Sequence, residues 1–277
     1  TELPQASRLV NLSSRGFVGA GDALMLSGVV VRGPTPKRFL ARAVGPGLAK
    51  FGVPGVLPDP VLRIVSGDGT SVATNVGWET SSEAAQLPAV GAAVGAFPLA
   101  SGSADSAVVV ELPPGGYTVV MASASGQTGV GLIELYELDS TATRVVNLST
   151  RAFVSPGEKI LIGGLAISGF APKRVLVRAV GPALAGFGVE GAMENPMVAV
   201  IDSNQRVVGA NDDWSAGLTG AEVEEATTSA GAFALPTGSK DAALVLTLNA
   251  GNYTLQMTGA DGGGGVSLLE VYELPDK

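Results

Sequence analysis

PKRFLARAVGPGLAKFGV (Pro36–Val53) and PKRVLVRAVGPALAGFGV (Pro172–Val189) are one motif written twice. Each opens on an apolar run between Pro and Gly, which suits a buried strand over Lys37 to Val44 and its counterpart. Each then turns at Gly-Pro and carries Leu and Phe three apart, the spacing of a helical turn tucked under a loop. The doubling spreads outward in both directions. RLVNLSSRGFV (Arg8–Val18) matches RVVNLSTRAFV (Arg144–Val154), and GVGLIELYEL (Gly129–Leu138) matches GVSLLEVYEL (Gly265–Leu274). A single offset of about 136 positions aligns all three pairs without a gap, the signature of an internal repeat.

Within a copy the punctuation is that of an all-β domain. Leu24 to Val31 reads as a buried strand. Gly67-Asp68-Gly69 separates two short strands as a hairpin turn, and Pro113-Pro114-Gly115-Gly116 separates two more. The Ala-rich stretch from Trp78 to Phe97 has room for one short helix. Seven or eight strands per copy, with a turn signal about every ten residues, predict two tandem, jelly-roll-like β-sandwich domains with short helical turns in the loops. The expected division is residues 1–138 and 144–277, joined by a short linker at 139–143.

Composition narrows the function classes. The 277 residues are 46% hydrophobic and 15% charged, with 39 glycines. That excludes the low hydrophobicity and high charge of a disordered chain. A net charge of −8 provides no electrostatic footprint for nucleic acid. No apolar run is long enough for a membrane helix. The chain has neither Cys nor His, which removes the usual ligands of zinc, haem and iron–sulfur sites and the usual nucleophile–base pairs. G-x-S-x-G, P-loop and HExxH motifs are absent, and the expectation is a non-enzyme. The first residues, Thr1-Glu2-Leu3-Pro4-Gln5, read as the start of a chain processed by signal-peptide removal.

NLSxR followed by PKRxLxRAVGPxLAxFGV is similar to a repeat of large secreted multi-repeat proteins of environmental bacteria. The second half of each copy resembles the bacterial pre-peptidase C-terminal β-sandwich domain. The matching stretches are Val61–Trp78, Gly115–Val120 and the Gly-rich approach to the last strand. The resemblances imply an extracellular, all-β, non-catalytic protein.

Some polar residues stand out. Arg42 and Arg178 sit mid-strand in apolar surroundings and need partners. Glu134 or Asp105 is the expected partner in copy one, and Glu270 or Asp241 in copy two. Asp202, Asn211, Asp212 and Asp213 offer hard oxygen ligands that calcium could use. Copy one has lost most of these carboxylates, so any calcium site would belong to copy two alone. Lys37, Asn11 and Glu134, with Lys173, Asn147 and Glu270, are residue types found in intramolecular isopeptide bonds.

Charge is segregated along each copy. From Arg8 to Arg63 there are about eight basic and two acidic residues, and from Ile64 to Thr143 no basic and about eight acidic ones. If the halves of a copy occupied different ends, each would have a positive and a negative pole, and copies would associate head to tail. The expected function is a secreted structural protein that partners with itself in an extracellular filament, surface layer or matrix. The alternative is a carbohydrate- or surface-binding adhesion module that contacts surface glycans through Trp78 or Trp214.

Overall fold

A computed structural model describes residues 7–216 and 220–275. The fold is all-β, and its strands build β-sandwiches. Copy one contributes β1 (Arg8–Val18), β2 (Met25–Arg32), β3 (Lys37–Val44), β4 (Pro60–Ser66), β5 (Ser71–Val76), β6 (Ser106–Leu112), β7 (Gly115–Ser123) and β8 (Gly129–Glu137). Copy two repeats the series as β9 (Arg144–Val154), β10 (Leu161–Ser168), β11 (Lys173–Val180), β12 (Pro196–Asp202), β13 (Val207–Asn211), β14 (Ala242–Leu248), β15 (Gly251–Gly259) and β16 (Gly265–Glu273). The Gly-Pro motifs form 3-10 turns at Pro46–Phe51 and Pro182–Phe187, and the Ala-rich stretches hold α1 (Leu87–Ala93) and α2 (Gly220–Ala230). Among the described residues, no helix is long and apolar enough to cross a membrane.

Tracing the ladders gives two antiparallel eight-stranded sheets. One runs β6-β3-β8-β1-β10-β15-β12-β13. The other runs β14-β11-β16-β9-β2-β7-β4-β5. Among the described residues, one ladder pair, Phe17 with Phe153, bridges them. Each sheet takes four strands from each copy. Within copy one, β6-β3-β8-β1 packs on β2-β7-β4-β5, and inward residues such as Phe39, Ala41, Ile133, Leu62, Ile64 and Met121 fill the space between.

The copies are therefore stitched together. The first strand of each copy lies between its own last strand and the second strand of the other copy: β1 between β8 and β10, β9 between β16 and β2. Equivalent residues face one another across the join. The Ser14 and Thr150 hydroxyls are 2.7 Å apart, and the Phe17 and Phe153 rings meet edge to face at 6.4 Å. Ser7 Oγ donates to Ala171 O, and Thr143 Oγ1 likewise donates to Thr35 O. Gly33 and Gly169, with φ of 150° and 127°, sit against the backbone of Thr143 and Ser7, where any Cβ would collide. One core crosses the boundary, joining Leu9, Leu12 and Met25 to Leu148, Val154 and Leu161.

Neither copy can satisfy β1 or β9 alone, since an unpaired inner strand exposes a row of backbone donors and acceptors. Residues 1–138 expressed alone should run as a homodimer that reproduces this exchange, or aggregate. Mixing the separately expressed halves, refolded together, should yield a 1:1 complex. Size-exclusion chromatography with light scattering checks this, and a stable, folded monomer of either half would contradict it.

Candidate functional site

Register brings the mid-strand charges together. Arg42 stands directly opposite Glu134 in the β3–β8 ladder, and Arg178 opposite Glu270 in β11–β16. The Nε–Oε2 separations are 3.1 and 2.9 Å. These are ion-pair contacts whose angles fall outside hydrogen-bond alignment. Each arginine Nη1 donates to a loop carbonyl, Phe97 O at 2.8 Å and Phe233 O at 2.6 Å. Each guanidinium also lies over the ring of that phenylalanine, 4.4 and 4.3 Å from its centroid. The tyrosine two residues on donates to the glutamate, Tyr136 to Glu134 and Tyr272 to Glu270, both at 2.7 Å. All these side chains leave the sheet on the face opposite the main core. There the loop from Trp78 to Phe97, with α1, covers them, and the loop with α2 does so in copy two.

Asp105 and Asp241 do a different job. Each lies just before the first residue of β6 or β14, where β3 or β11 turns into its Gly-Pro motif. Asp105 accepts from the backbone N–H of Gly45 at 2.8 Å and Gly47 at 3.1 Å, and from Ser103 Oγ. Asp241 accepts from Gly181, Ala183 and Ser239 in the same way. These carboxylates satisfy turn donors that would otherwise be buried without partners. They serve the backbone, and the arginines take the glutamates alone.

The pair at Lys37 was not singled out as an ion pair by the sequence. Its Nζ is fully buried, 3.0 Å from Glu137 Oε2 and 3.0 Å from Asp139 Oδ1. Lys173 lies 3.0 Å from Glu273. The isopeptide-type residues are thus not assembled as a set, because Lys37 meets Glu137 and Asp139 while Glu134 is held by Arg42. Backbone and side-chain hydrogen bonds, with Lys37, hold the Asp139 carboxyl well below its ordinary range against the opposing effect of burial, which keeps it ionised and poor as an acyl donor. The repeated Lys at the same offset in both copies was the available signal.

Two of the calcium candidates lie far apart, and Asp212 and Asp213 follow Asn211 directly. Asn211 pairs with Val198 at one end of the β12–β13 hairpin, while Asp202 sits at the other. Four strand residues separate them, about 13 Å. Asp202 is occupied by the backbone N–H of Asn204 and Arg206 and by the Arg206 guanidinium. Asn211 spends its side chain on Ala243 N and Asp213 O. Among the described residues, no group of three or more acidic side chains, the only His/Cys/Asp/Glu types this chain has, converges on a metal position.

The two halves of a copy do not occupy separate sheets. Basic-half β3 lies between β6 and β8, and β4 between β5 and β7, all from the acidic half. Trp78 and Trp214 are buried, their indole N–H groups donating to Ala100 O and Pro236 O, so neither stands exposed on the outer surface.

What the surface does offer is sheet edge. The four outer strands are β5, β6, β13 and β14. β6 and β14 pack beside α1 and α2. β5 (SVATNV) and β13 (VVGAN) contain no charged residue and no proline, and Val72, Val76, Val207 and Val208 are exposed.

No protein-family model and no curated protein matches this chain. Among solved structures it is similar to tandem CBM51 modules of a family 98 glycoside hydrolase from Streptococcus pneumoniae, at 7% identity and TM-score 0.27, covering 90% of this chain and 83% of that one. It is also similar to a DUF4785 family protein from Legionella pneumophila, at 12% identity and TM-score 0.24, covering 96% and 63%. A third is the CUB1-EGF-CUB2 region of human MASP-1/3, at 8% identity and TM-score 0.20, covering 94% and 99%. At these scores the likenesses carry no functional argument.

Two measurements test the ion pairs. Arg178→Met leaves Glu270 buried without its counter-charge and should cost about 3–5 kcal/mol in urea unfolding, whereas Arg178→Met with Glu270→Leu should recover most of that loss. Burial lifts the Glu134 and Glu270 carboxyls above their usual 4.5, with the arginines opposing. The folded state then holds more protons than the unfolded chain above pH 4.5, so this contribution is full below that pH and lost as pH rises through the lifted values. The Glu134→Gln/Glu270→Gln protein should lack that component of the stability–pH curve.

Proposed function

We propose that this protein is a secreted, non-catalytic structural subunit whose copies join through sheet edges in an extracellular filament, surface layer or matrix. The carrying observation is the pair of bare edges, β5 and β13. Natural sheets blunt an open edge with lysine, proline, bulges or a cover. These two edges carry valines and neutral residues with no lysine or proline, and each has a single bulge, at Val72 and at Val208. Copy one supplies one and copy two the other, at the ends of different sheets, so each chain has two equivalent attachment points. Strand addition at both makes a linear polymer with main-chain hydrogen bonds at each joint. The buried charges also support a structural reading. Each lies in a local ion pair or turn.

Purified protein should grow in scattering mass with concentration and show filaments or sheets by electron microscopy. Val72→Lys with Val207→Lys should hold it as a monomer while leaving its thermal unfolding nearly unchanged, because both side chains are exposed. A wild-type protein that stays strictly monomeric at high concentration would sink the proposal.

A further inference from the structure

A cavity of about 200 Å³ opens in copy one between α1 and the outer face of β3 and β6. Leu40, Trp78, Leu87, Gly91 and Phe97 line it, and its single charged group is Arg42. We propose that it is a binding site for a compact, uncharged, largely apolar molecule of about one aromatic ring, bearing one hydrogen-bond acceptor.

Size and lining set the apolar part. Apolar cavities of about 150 Å³ stay dry and accept benzene. This one admits a ring with one or two further heavy atoms, between the indole of Trp78 and the ring of Phe97. The Trp78 N–H is already committed to Ala100 O at 3.0 Å, so it presents carbon to a guest.

Arg42 sets the polar part. Its Nη1 is bonded to Phe97 O and its Nε faces Glu134. Its Nη2 is buried and has no hydrogen-bond partner among the described residues. A buried donor without an acceptor favours a guest that supplies one. Glu134 already balances the arginine charge, so a carboxylate would bring an uncompensated negative charge into the apolar site. A hydroxyl, ether or carbonyl oxygen would not.

The copies differ at the wall of this cavity. The repeat offset places Thr227 where copy one has Gly91, and Thr228 where it has Ala92. Thr227 is buried against α2's own cluster. A Cβ at Gly91 would meet only the Ala96 Cβ, at 3.9 Å, so the glycine is not required by backbone or packing. Otherwise the same Leu, Arg, Trp and Phe surround the equivalent place, as Leu176, Arg178, Trp214 and Phe233.

The test is a titration of the full chain followed by the two indole N–H signals in ¹H–¹⁵N spectra, with benzyl alcohol, toluene and benzoate as probes. Benzyl alcohol should shift the Trp78 signal with a Kd of about 1 mM or tighter, as ligands of eight heavy atoms can reach. Toluene, without an acceptor, should bind about tenfold more weakly, and benzoate more weakly than benzyl alcohol. Gly91→Thr, which copies the second repeat, should fold normally and weaken benzyl alcohol at least about tenfold. No Trp78 response to benzyl alcohol at about 10 mM overturns the proposal, and so does unchanged affinity in the Gly91→Thr protein. A Trp78 shift that instead follows protein concentration, and disappears in Phe170→Ala, would also overturn it. That result would assign the cavity to the exposed Phe170 of a second copy.

Discussion

The placement of β1 and β9 is the constraint on which the rest of the structure depends. Each is eleven residues long, and each is paired along both of its edges, once within its own copy and once with the other. Two four-stranded sheets per copy therefore become two eight-stranded sheets per chain. The sandwich interior loses its outer wall at the join, and the two cores merge into one. Close approach at the join explains details that look arbitrary in isolation. Gly33 and Gly169 are needed because the other copy's strand entry occupies the space of their side chains, and the Ser7 and Thr143 hydroxyls cap the turns beside them.

The symmetry of the join is that of a two-fold dimer. Residues related by the repeat offset contact each other, as Ser14 does Thr150 and Phe17 does Phe153. In an isologous interface residue i meets j while j meets i, as β1–β10 and β9–β2 do, and residues at the axis meet their own equivalents. A single chain holding both halves converts a bimolecular association into an intramolecular one, with residues 139–143 as the tether. The short tether is then a consequence of geometry, since β8 ends where β9 must begin to cross to the other sheet.

Around this frame the buried charges act in register. Arg42–Glu134 and Arg178–Glu270 join the same two strands in each copy and are met by the same phenylalanine ring and tyrosine hydroxyl. A one-residue slip of β3 against β8 would put the arginine in the apolar sandwich interior and leave the glutamate alone. The pairs are costly to bury and costlier to break, which suits a role in choosing one register over its neighbours. The Asp105 and Asp241 turns add a second lock two residues further along.

Legible in the sequence alone were the repeat, the strand and turn pattern, a helical turn after each Gly-Pro, and the need of Arg42 and Arg178 for a partner. These follow from local chemistry: alternation, Gly-Pro punctuation, and the cost of an isolated buried charge. It left Glu134 and Asp105 equally eligible for Arg42, because residues far apart in the chain are ranked only by strand register. Division at the linker predicted two neighbouring sandwiches, while tertiary structure decided that the sheets run through both, since backbone hydrogen bonds carry no sequence code for whose strand they join. Folding also interleaved the strands of the basic and acidic halves, an order that linear counting does not carry. It set Asp202 and Asn211 at opposite ends of a hairpin for the same reason. Two copies with nearly the same plan differ at Gly91 and Thr227, and only packing in three dimensions places that difference beside a cavity.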